Sequence, residues 1–153
     1  MGIFMNFYAG DAGKVAEVEN HPELEVDLST APFVRAHVDF SIRVTTDQLD
    51  PLIKAACDHL GIPAIALTTT FVGHLAGSED PTEAENSADI VAPKVVEILA
   101  SLNDQDVRPV GEQWFRDLEA SLTQEAENAL RDLVRLCKIA QSEKVPVVLA
   151  WSL

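Results

Sequence analysis

Residues Val34 to Val44 read VRAHVDFSIRV, and apolar and polar residues alternate through the whole stretch. Val34, Ala36, Val38, Phe40, Ile42 and Val44 share one side, while Arg35, His37, Asp39, Ser41 and Arg43 share the other. Successive side chains of a pleated strand point to opposite faces, so this period of two predicts a strand over 34–44 with one buried and one polar face. The remaining segments have to supply whatever covers the apolar side.

Downstream, Asp50-Pro51 marks a helix start and Gly61 a helix stop, because Asp caps well, Pro is pre-shaped for the first turn and Gly tolerates the left-handed closing residue. Leu52, Ile53, Ala56 and Leu60 form a stripe at helical spacing that should pack on the buried side of the sheet. Upstream, Glu23 to Ser29 alternates Leu24, Val26 and Leu28 with Glu23, Glu25 and Asp27, the pattern of an edge strand guarded by charge. Ile3 to Ala9 reads as a strand buried on both faces and ends in a turn at Gly10-Asp11. A brief helix over Ala12 to Glu19 follows, stopped before His21-Pro22.

Ile62 to Ala76 suits either a strand or a helical turn; strand, helix, strand would make a crossover unit, right-handed if the strands are parallel. Gly77 to Ser87, GSEDPTEAENS, is polar and acidic and is expected to be a surface loop. Pro93 opens a helix carrying Val95, Ile98, Leu99 and Leu102 that ends at Asn103-Asp104. A short helix over Gly111 to Ala120 turns Trp114, Phe115 and Leu118 inward. Ser121 to Gln124 matches a capping box, and the helix it opens repeats Leu122, Ala126, Ala129, Leu130, Leu133, Cys137 and Ala140, with Glu127 and Arg131 placed as a solvent-side pair. Val145 to Trp151 reads as a final strand that Pro146 limits to an edge or to a strand start. The sum is a single α+β domain over 1–153, with a small mixed or mostly antiparallel sheet and helices packed on one face.

At 153 residues, with 47% hydrophobic content, the chain can bury a core without disulfides or metal. Its 25 acidic residues against 11 basic ones give a formal charge of −14, which repels nucleic-acid phosphates and anionic lipid. Neither nucleic acid nor membrane is therefore an expected partner; a basic protein partner or a cation is compatible with the charge. Cys57 and Cys137 sit among apolar neighbours outside any C-x-x-C pair, the usage of free thiols in a reducing cytosol. The first residues lack the basic and apolar runs of a signal peptide, so a cytoplasmic location is expected.

The start Met1-Gly2 before a short apolar run and a helix at Asp11, the Pro93-Lys94-Val95 helix opening that ends Ala100-Ser101-Leu102, and the final passage LRDLVRLCKIAQSEKVPVVLAWSL together resemble the YfbM-like family of small bacterial proteins. The resemblance implies an α+β domain and no stated activity. Its motifs are structural rather than catalytic.

Chemistry is most concentrated on the polar side of the 34–44 stretch. Arg35 and Arg43 are suited to holding a carboxylate or phosphate, and His37 beside Asp39 to moving a proton. Arg35, His37, Asp39 and Arg43 are accordingly the candidate ligand-binding residues; the ordinary alternative is a solvated face. Adjacent residues on a helix do not face one another, so Cys57-Asp58-His59 is not expected to chelate metal. Ser41, His37 and Asp39 on one strand cannot form a hydrolytic triad, and Gly10 with Gly13-Lys14 lacks phosphate-loop spacing. No catalytic residue, metal site or cofactor is expected. The favoured function is a non-enzymatic binding or protein-interaction domain with an acidic surface, and the rival is a small enzyme or small-molecule-binding domain using the polar strand face.

Overall fold

The structure is a computed structural model that describes residues 4–63, 71–77 and 86–153, with the backbone alone considered at 71–77. Five strands, β1 (Phe4–Gly10), β2 (Val34–Asp39), β3 (Phe71–Gly77), β4 (Asn86–Val91) and β5 (Val147–Ser152), form one sheet in the order β2-β1-β5-β4-β3. Every neighbouring pair is antiparallel. β2 and β3 therefore run the same way at opposite edges, and the link between them, which carries α2 (Leu49–Leu60), crosses the sheet. The α+β class is as the sequence patterns imply.

One face of the sheet presents Met5, Phe7, Ala9, Val38, Val147 and Leu149 to a continuous core. It is covered by α2, α3 (Pro93–Ala100), α4 (Asp104–Asp117) and α5 (Gln124–Glu143), whose apolar stripes meet there. Phe7, Phe40, Trp114 and Phe115 make a chain of ring contacts through this core, at centroid distances of 5.3, 6.1 and 4.9 Å. The Trp114 indole donates to the Gln48 carbonyl at 2.8 Å, which satisfies the one polar atom this large side chain buries. Lys138 of α5 donates to the Ala100 carbonyl at the end of α3, tying two helices through a free helix terminus.

The other face carries only α1 (Ala12–Asn20) and the loop after it, over a small cluster of Tyr8, Val15, Leu28, Ala88, Val148 and Ala150. Helices thus lie mainly, but not wholly, on one side. Asp11 caps α1 by accepting from the Lys14 amide at 3.1 Å. A Cβ on Gly10 would lie 2.4 Å from the Phe33 carbonyl oxygen, so the turn into α1 needs glycine for close approach to the chain entering β2.

Several boundaries depart from expectation for local reasons. β2 stops at Asp39: Phe40 still donates to the Met5 carbonyl, but Arg43 adopts φ 64 and turns the chain away from the sheet. Residues 23–29 form no strand; a single 3-10 turn at Pro22–Leu24 and Asx geometry at Asp27 replace it. α2 begins at Leu49, before Asp50, after a 3-10 turn at Thr46–Gln48. α4 begins at Asp104 and absorbs Pro109, and α5 is capped by Thr123, not Ser121. Glu127 is buried beside Arg131 and is not a solvent-side group. β5 is the middle strand, with Pro146 immediately ahead of it. The 64–70 and 78–85 portions of the expected 62–76 and 77–87 segments lie outside the described residues. Among the described residues no helix is long and apolar enough to cross a membrane.

Candidate binding face

The polar side of β2 divides between three places. His37 and Asp39 pair with Tyr8 and Asn6 across β1 and so share the thinly covered face of the sheet. The His37 ring stacks on Tyr8 at 5.0 Å, and its Nε2 lies 2.7 Å from Asn6 Oδ1. Arg35 leaves this row because the pairing shifts between Ala9 and Gly10, so that Val34 opposes Gly10 and Arg35 is the unpaired extra residue. Its side chain lines a cleft of about 700 Å³ with Gly10, Asp11, Lys14, Phe33 and Pro146. Arg43, exposed in the turn beyond the strand, joins neither group. Arg35, His37, Asp39 and Arg43 therefore do not converge. Ser41 serves the fold, its hydroxyl accepting from the Met5 amide at 3.1 Å.

The residues that do gather lie around Tyr8. A pocket of about 340 Å³ is lined by Tyr8 from β1, Val18 and Glu19 from α1, Glu25, Val26, Asp27 and Leu28 from the following loop, and Asn86 from β4. Tyr8 is 7% exposed, and burial together with the charges of Glu19, Asp27 and Asp39 raises its phenol to about 12. Burial also raises the Glu19 carboxyl above the ordinary carboxylate range. Asp27 is lowered instead, because its carboxylate accepts from the Ser29 hydroxyl at 2.6 Å and the Ser29 amide at 3.0 Å. Two acids in one pocket are thus held differently: Asp27 is fixed as an anion by its own loop, and Glu19 is half-desolvated on the helix. Val26, 42% exposed, leaves an apolar surface beside them.

The sequence reading picked out His37 and Asp39 on this face but missed Tyr8, Glu19, Glu25 and Asp27. Their acids stand every second residue from Glu23 to Asp27 and were read as strand-edge protection; the charge was visible and the turn that gathers it was not.

The other sequence candidates have structural duties. His59 Nε2 lies 2.9 Å from Asp106 Oδ1, joining α2 to the first turn of α4, where Asp106 also accepts from the Asn103 amide at 2.8 Å. Cys57 and Cys137 are buried and unbridged, and burial pushes the Cys137 thiol up to about 12, away from nucleophilic thiolate chemistry. In the β1–α1 cleft, Asp11 itself occupies the helix terminus, so the turn does not offer a row of free amides. Lys14 sits over the Phe33 ring at 5.9 Å, and neither it nor Arg35 has a carboxylate partner among the described residues. Compared with protein-family models, curated proteins and solved structures, the chain matches none of them.

Proposed function

We propose that the protein is a non-enzymatic binding domain that engages a positively charged partner through the α1 side of its sheet. The observation that carries this reading is the pocket in which Tyr8 faces Glu19, Glu25 and Asp27. An acceptor-rich, partly desolvated surface on a chain of net charge −14 attracts cations at long range and discriminates among them at contact. A cytoplasmic setting agrees with the two free thiols. The YfbM-like resemblance is compatible with this reading, since it implies the same fold class and no activity.

The test is binding of a short oligolysine peptide at low and high salt. Combined Glu19→Gln, Glu25→Gln and Asp27→Asn should abolish most of the salt-sensitive affinity. Combined Glu112→Gln, Asp117→Asn and Glu143→Gln, which removes the same charge from the helical side, should retain most of it. Equal losses in the two variants would mean that net charge alone binds the peptide, and the reading would fail.

A second reading has its own observation. The cleft holding Lys14 and Arg35 is the described cavity where two unpaired cations meet, and it would suit a small anionic ligand. Titration with inorganic phosphate, comparing the native chain with Arg35→Ala, decides it: saturable binding lost in the variant supports that reading.

A further inference from the structure

We infer that the Tyr8 pocket receives an alkylammonium group, the chemistry of a lysine side chain. This rests on the binding reading above and names what enters the site. Among the described residues, nothing hydrogen-bonds the Tyr8 hydroxyl, although Tyr8 is 7% exposed and lines the pocket. A hydroxyl so nearly buried is costly to leave unmatched, and its lone pairs can accept from a cation.

The other polar lining groups sharpen the choice. Glu19 and Glu25 are likewise without hydrogen bonds among the described residues, whereas Asp27 is already engaged by Ser29. Ionised carboxylates only accept, so the set demands a donor and repels an anion. The acceptors come from three separate elements, β1, α1 and the loop, which suits the radially disposed donors of an ammonium better than the planar fork of a guanidinium. Among the described residues no three His, Cys, Asp or Glu side chains are grouped closely enough to hold a metal ion. Val18, Val26 and Leu28 offer the apolar wall along which a methylene stem can lie. A volume of about 340 Å³ accommodates a stem and its head, and not a folded segment.

The experiment follows the ring resonances of Tyr8, the sole tyrosine, at neutral pH. Saturable shifts are expected with n-butylammonium and with a short lysine-containing peptide, and none with n-butanol or with the same peptide acetylated on its lysine. Glu19→Gln should weaken n-butylammonium binding by about tenfold, as expected for loss of a hydrogen bond to a charged group. Tyr8→Phe, followed through the His37 ring, should weaken it by a similar factor, and an unchanged thermal midpoint shows that each variant is folded. Binding of n-butanol as tight as that of n-butylammonium, displacement of the amine by equimolar magnesium or potassium, or unchanged affinity in both variants would overturn the inference. If oligolysine binds this face with salt sensitivity while n-butylammonium leaves Tyr8 unmoved, the ammonium pocket fails and the broader reading stands. If oligolysine also fails to bind, both fall.

Discussion

The two faces of the sheet are built from the same strands and end in opposite chemistry. Alternate residues of β1 divide the work: Met5, Phe7 and Ala9 enter the large core, while Asn6 and Tyr8 lie on the other side with His37. Four helices make the first face dry, and its one indole nitrogen finds a carbonyl. A single nine-residue helix and an acidic loop leave the second face with a small apolar cluster and an open, carboxylate-lined pocket. The difference teaches where stability and recognition reside. Burial of apolar area dominates folding free energy, so the well-covered face can carry the fold while the other keeps polar groups incompletely satisfied.

The strongest way to break that division is Trp114→Ala. Trp114 is fully buried, contacts Phe40 and Phe115, and supplies the donor to Gln48, so its loss should cost about 3–5 kcal/mol in urea denaturation. Below its lowered melting temperature, the variant should still bind oligolysine with native affinity. A parallel loss of affinity would mean that the two faces are not separable.

Glu19→Gln probes the opposite side with a smaller effect of opposite sign. Burial makes the folded state hold the Glu19 proton more tightly than the unfolded chain does. Native stability therefore declines as pH rises from the ordinary carboxylate value through the raised folded value, and the cost is fully present above that window. A glutamine carries no such cost. The variant should melt slightly higher than the native chain at neutral pH, and the gain should vanish below the ordinary carboxylate value. Stability gained while cation affinity is lost would mark Glu19 as a group kept for binding.

The smallest effect is spectroscopic. Absorbance titration of the single tyrosine should place its ionisation at about 12, against an ordinary value of 10. Glu19→Gln should bring it down, since the Glu19 charge is one of the influences that raise it. An ionisation near 10 would mean that Tyr8 is solvated and that the pocket is not a desolvated site.

The legible and illegible parts of the fold follow from the range of the forces that set them. Periodicity and terminal residues reveal α1, α2, α3 and α5, because an apolar stripe with Asp11 before it or Gly61 after it is a local property. The short reach of β2 is not local: its alternation continues to Val44, but the backbone leaves the sheet at Arg43. The acids of 23–29 show why alternation alone misleads, since Leu24 and Val26 remain exposed and Asp27 turns the chain through its own hydrogen bonds to Ser29. Of the site, His37 and Asp39 could be placed on one face from spacing. The displacement of Arg35 depends on one register shift opposite Gly10, and the gathering of Glu19, Glu25 and Tyr8 depends on how α1 crosses the sheet. Neither is written in any single segment.

The most direct test of the two-face account is a nuclear magnetic resonance titration of the native chain with the oligolysine peptide. Tyr8 and His37 should shift saturably and salt-sensitively while the Trp114 indole resonance stays fixed. Shifts confined to residues on the helical side, or equal small shifts over the whole acidic surface with Tyr8 unmoved, would contradict it.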